Sequence, residues 1–172
     1  MATFGHMTEG NGYGYELAEV NIGRILAPLD TPLMADFSNG LEHINARAEA
    51  APGFVWRLKD EDTDDSTTFR MFEELDDWIL VNMSVWQSPE LLRAFVYDEG
   101  HRSYLKRRRE WFERLAEAVT VLWWVPTGHR PDLVEARERL EHLRKHGSTP
   151  YAFALADTFP APASGADYTP LT

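Results

Sequence analysis

Two separate stretches carry the side chains best suited to chemistry. Asn82 and Trp86 stand four residues apart in ILVNMSVW, residues 79–86. On a strand they share one face, because successive side chains alternate. An amide beside a large aromatic wall can hydrogen-bond a carbonyl or phenol while the wall stacks on its ring. His101 is the best general acid/base candidate, since only histidine titrates near neutrality without perturbation. Arg108, two turns further along the same helical face, could hold an anionic or enolate-like oxygen. Tyr104 lies between them on that face and joins the substrate-binding set, with Trp56 from a short strand as a second wall. Each has a structural alternative. Asn82 could cap a backbone group at a bulge with Trp86 in the core, His101 could sit on the surface, and Arg108 could pair with Glu99 or Glu110.

Metal chemistry finds less support. Asp62, Asp64, Ser66 and Glu73 fit four ligand positions of a calcium loop, but Thr67 stands where the tight turn requires glycine. A solvated acidic turn is the expectation. His142 and His146 are four apart at an exposed helix end, and His129 has no second ligand at metal spacing. No cysteine is present, which removes thiolate catalysis, disulfides and cysteine-held clusters. There is no glycine-rich phosphate loop and no serine elbow. No metal and no cofactor is expected.

The elements that must position these residues follow from periodicity. Tyr15 to Ile22 alternates, with Ala18, Val20 and Ile22 on one face and Glu19 and Asn21 on the other, as in a half-buried strand. Asp30-Thr31-Pro32 starts a helix with the stripe Leu33, Phe37, Leu41, Ile44 and Ala48. Phe54 to Leu58 is a short strand, Phe69 to Phe72 a return, and Ile79 to Trp86 the third strand. Ser88-Pro89-Glu90 opens a long helical arm that Gly100 kinks or divides. Val119 to Val125 is the fourth strand. Pro131 opens a further helix ending at Gly147, and Tyr151 to Leu155 adds an edge strand.

The order β-α-β-β-α-β predicts an α+β, ferredoxin-like antiparallel sheet with helices on one face, plus an extra C-terminal helix. One domain, residues 15–158, is expected between a disordered N-terminal segment, 1–14, and a disordered Pro/Ala-rich tail, 159–172. An open second sheet face carrying Trp86 and one of Trp123 and Trp124 would call for a homodimer joined through the sheets. The net charge of −11 disfavours nucleic acid and anionic membranes as partners. With no signal peptide and no apolar run near ~20 residues, a cytoplasmic protein is expected.

NMSVWQSPELLRAFVY followed by GH, then RRREWF, then VLWWVPTGHRP, resembles a bacterial family of unknown function. That family is related to the antibiotic-biosynthesis monooxygenase-like proteins of the dimeric α+β-barrel superfamily. The resemblance runs from about Leu17 to Phe153. It implies a dimeric α+β barrel. Quinone-forming monooxygenases of the superfamily place an asparagine and a tryptophan as Asn82 and Trp86 stand here, with a basic residue further along that Lys106, Arg107 or Arg108 could match. Such enzymes oxidise electron-rich aromatics with dioxygen, using no flavin or metal. The first expectation is therefore a small-molecule enzyme, a cofactor-independent monooxygenase or a related acid/base enzyme acting on an aromatic or polyketide-like compound. A non-catalytic ligand-binding or stress-related dimer is the alternative. Haem binding or degradation through His101 is a third reading.

Overall fold

The computed structural model describes residues 14–72 and 78–163. Four strands among the described residues form one sheet: β1 (Tyr15–Arg24), β2 (Phe54–Arg57), β3 (Ile79–Trp86) and β4 (Thr120–Pro126). Their order is β2-β3-β1-β4 and every pairing is antiparallel. This is the ferredoxin-like arrangement, so the α+β class read from element order holds.

α1 (Ala35–Glu49) follows a short 3-10 turn at Pro32–Met34. The expected long arm is two helices, α2 (Pro89–Val96) and α3 (Glu99–Trp111). The division falls at Tyr97 and Asp98, just before Gly100. Asp98 is extended there, and its carboxylate accepts from the Gly100 N–H as an N-cap. Ser88 caps α2 through the Leu91 N–H, as its Ser-Pro-Glu sequence predicts.

Strand alternation sorts the core into two sides. Ala18, Val20 and Ile22 pair with Val85, Met83 and Val81 and are all buried. Ala136, Leu140 and Leu143 of α4 (Leu133–His146) pack on this side, together with Met71 and Phe72. The other side carries Leu17, Glu19, Asn21, Asn82, Ser84 and Trp86 and faces α1, α2 and α3. The extra helix therefore closes the face that was expected to lie open. Trp86 sits on the α2 side and Trp123 on the α4 side, both buried. The argument for a homodimer joined through its sheets loses its premise.

Two expected strands are smaller than the sequence suggests. Phe69–Phe72 has no strand structure. Of Tyr151–Leu155, only Phe153 joins the sheet edge, exchanging both backbone hydrogen bonds with Leu122 at 2.8 and 2.9 Å. The chain continues past it, and the Trp124 indole donates to the Phe159 carbonyl at 2.8 Å. Among the described residues no helix is long and apolar enough to cross a membrane.

Candidate functional site

Between the sheet and the layer of α1, α2 and α3 lies a cavity of about 440 Å³. Its apolar wall includes Phe37, Ile44, Leu92, Phe95 and Trp86. Asn82, Trp86, His101, Tyr104 and Arg108 all line it, so the strand face and the arm meet. Trp86 stacks on Phe95 with centroids 5.2 Å apart, and Phe95 lies 5.0 Å from the His101 ring. The three rings run continuously from β3 through α2 to α3.

α3 faces the cavity because of how its polar residues are held. Arg107 turns outward to Asp36 and Glu110. Arg108 turns inward and donates to the Ile22 carbonyl at 3.2 Å. Among the described residues no carboxylate pairs with Arg108, and burial lowers its pKa. The expected Glu110 pairing belongs to Arg107 instead. His101 Nδ1 lies 3.0 Å from the Val96 carbonyl, and a carbonyl only accepts, so Nδ1 carries the proton. Nε2 is then the nitrogen left to take one up. Burial holds His101 below its ordinary pKa, partly opposed by that backbone bond.

Asn82 lines the cavity and is exposed, which puts it at the opening, opposite Asn21 on β1. Trp86 is 1% exposed, and its indole donates to Ser84 Oγ at 2.9 Å. Trp56 does not line the cavity. A bulge separates Phe54, opposite Trp86, from Trp56, opposite Val85. The extra residue turns Trp56 to the α4 side, where it packs against the larger core, as Val55, Leu58 and Phe69 do. Regular alternation would have kept it beside Phe54.

Sequence reasoning missed the most unusual group in the wall. Glu19 is 7% exposed and lines the cavity from the middle of β1. Its Oε1 accepts from Asn21 Nδ2 at 2.9 Å and its Oε2 from Ser84 Oγ at 3.1 Å. Burial pushes its pKa up to about 7 against the lowering effect of both hydrogen bonds. The signal was in the alternation: Glu19 and Asn21 share their face with Tyr15 and Leu17, and a wholly solvated face would not carry those two.

Arg57 of β2 also reaches this wall, bonded to Glu49 at 2.8 Å and Asp64 at 3.1 Å. Those bonds organise the acidic loop. Asp64 also takes Lys59 at 2.6 Å, and the lysine bond is the main cause of its lowered pKa. Asp60 accepts from the Asp62 N–H and Thr68 Oγ. Of the calcium positions, Asp64 is thus held by two cations and Ser66 donates to the Val81 carbonyl, while Glu73 falls outside the described residues. No cluster of three histidine or carboxylate side chains among the described residues could hold a metal.

Solved structures with similar folds share little sequence. A variant of SnoaB, a cofactor-independent oxygenase from Streptomyces nogalater, is 17% identical with a TM-score of 0.42, covering 68% of this chain and 98% of its own. A Nitrosomonas europaea protein provisionally assigned as an antibiotic biosynthesis monooxygenase is 9% identical with a TM-score of 0.43, covering 70% and 96%. A protein of unknown function from the same organism is 10% identical with a TM-score of 0.42, covering 70% and 97%. Among curated proteins none matches this chain. Residues 16–168 match the family described as Domain of unknown function (DUF3291), which is nearly the whole chain, and the protein belongs to that family.

Proposed function

We propose that this chain is a small-molecule enzyme that performs acid/base chemistry on a flat aromatic or polyketide-like compound, as a cofactor-independent monooxygenase does. The observation that carries this reading is the shared cavity. Groups from two stretches distant in sequence converge on one apolar space of about 440 Å³, the size class of small-molecule sites. Trp86 and Phe95 offer stacking surfaces, while Asn82 and Arg108 offer hydrogen bonds to a substrate oxygen. Glu19 in the wall can exchange a proton near neutrality, and His101, held below its ordinary pKa by burial, offers a second and weaker base. The protein's part is to remove a proton and stabilise the resulting anion. In an oxygenase the anion then reacts with dioxygen: one oxygen atom ends in a new carbonyl, the other leaves as water, and the substrate methylene supplies the four electrons.

The test is binding. Calorimetry with a bicyclic ketone such as 2-tetralone should show one site per chain, weakened at least tenfold by Ile44→Trp, which fills the space. No binding to the wild-type protein, or equal binding by the filled variant, would sink the reading. Oxygen consumption with electron-rich phenols then separates an oxygenase from an acid/base enzyme that needs no dioxygen.

A further inference from the structure

We propose that Glu19 is the base of this site and that its substrate is an uncharged enolisable carbonyl compound or phenol whose oxygen lies toward Arg108. The inference rests on the cavity being a substrate site and goes on to assign the proton.

Geometry comes first. Glu19 projects from the central strand into the cavity, between Leu17 and Asn21 on the same strand face. Both oxygens receive hydrogen bonds, and among the described residues no cation pairs with them. Ser84 accepts the Trp86 N–H, which leaves its own hydroxyl hydrogen for Glu19 Oε2. The line Trp86–Ser84–Glu19 therefore holds the carboxylate in one orientation while keeping it ready to accept a proton.

The other charged or titratable groups facing the cavity do not displace it. Arg57 is engaged by Glu49 and Asp64, and Asp65 accepts from the Thr67 N–H and hydroxyl. Tyr104 lies on α3. His101 has committed Nδ1–H to the Val96 carbonyl, and burial makes it a weaker base than an ordinary histidine. A carboxylate with a pKa of about 7 is the stronger base and is still ionised in good part at neutral pH.

Arg108 completes the pair. It is anchored at the Ile22 carbonyl, three residues beyond Glu19 on β1, or ~10 Å at the rise of a strand. A bicyclic molecule spans that distance. In the step, a substrate C–H or O–H bond breaks and an O–H bond forms on Glu19. The electron pair stays on the substrate and spreads to the oxygen facing Arg108. An apolar wall favours a neutral molecule entering, and Arg108 favours the anion formed inside.

The experiment is anaerobic hydrogen–deuterium exchange at the acidic methylene of 2-tetralone, with binding measured in parallel by calorimetry. Wild-type protein should accelerate exchange with a rate that rises with pH through a midpoint near 7. Glu19→Gln should bind the ketone but lose exchange by ~100-fold or more. Ser84→Ala removes a hydrogen bond to the carboxylate and should move the midpoint upward. If Glu19→Gln fails to fold, the Ser84→Ala midpoint decides. Exchange retained in Glu19→Gln, a midpoint below 6.5 that Ser84→Ala leaves in place, or binding without accelerated exchange would each overturn the assignment while leaving the cavity reading intact. Absence of binding would remove both.

Discussion

The Trp86 indole lies 28° from the plane of the Phe95 ring at 5.2 Å, so one side chain joins the sheet to α2 and walls the cavity. It also touches Phe54 edge-on at 5.6 Å and donates to Ser84. Trp86→Ala should therefore lose about 3–5 kcal/mol of stability, as truncations of large buried aromatics do. Trp86→Phe should lose less but leave Ser84 free to turn away from Glu19. Urea unfolding monitored by circular dichroism measures both.

Glu19 predicts a pH dependence of stability with a definite sign. Its folded pKa lies near 7 and its unfolded value near 4.5, so the folded state holds the proton more tightly between them. Its contribution is fully present below pH 4.5 and is lost as pH rises through 7. Glu19→Gln keeps the neutral form at every pH. Its stability relative to wild type should rise from pH 5 to pH 8, by on the order of 3 kcal/mol at most. Paired denaturation curves at the two pH values show it. A constant difference would mean Glu19 is not buried in this way.

Gly40 predicts an inversion of helix propensity. Alanine in a helix interior is ordinarily favoured over glycine by ~1 kcal/mol. A Cβ at Gly40 would overlap the Tyr104 hydroxyl, and the Tyr104 ring packs 5.6 Å from Trp111. Gly40→Ala should therefore destabilise the protein by forcing α3 away from α1. In a cycle with Tyr104→Ala the two changes should be non-additive by ~0.5–3 kcal/mol. Gly100→Ala meets only the end of the Arg47 side chain and should be milder.

With both sheet faces covered, association through them is not expected. A dimer in sedimentation velocity at micromolar concentration whose interface maps to either sheet face would contradict this. Leu140→Glu on α4 should expose the apolar side around Val20 and Met83 and promote association or unfolding.

What the sequence disclosed depended on whether a residue's surroundings were local. Strand and helix identities came from periodicity, and caps such as Ser88 from short-range chemistry. The shared face of Asn82 and Trp86 needed only alternation. Alternation places Glu19 on the second face of a half-buried strand, and Tyr15 and Leu17 on that face hint at burial; the cover itself, α1 to α3, is set by tertiary packing. Trp56 was misplaced by a single bulged residue, invisible to a regular period of two. The open sheet face failed for a similar reason. The C-terminal helix was recognised, but nothing in its stripe told which side of the sheet it would choose.

The ends of the sheet also decide what the molecule does in a crowd. An unpaired strand edge is a template on which other chains can extend. Here β2 offers only four residues with a bulge among them. On the far side, Phe153 occupies both outward backbone groups of Leu122 in the middle of β4, and Pro126 closes that strand with no N–H to donate. The segment around Phe153 thus covers the far edge while Ala154 and Leu155 line the cavity, so removing it should bare a strand edge and open the cavity together.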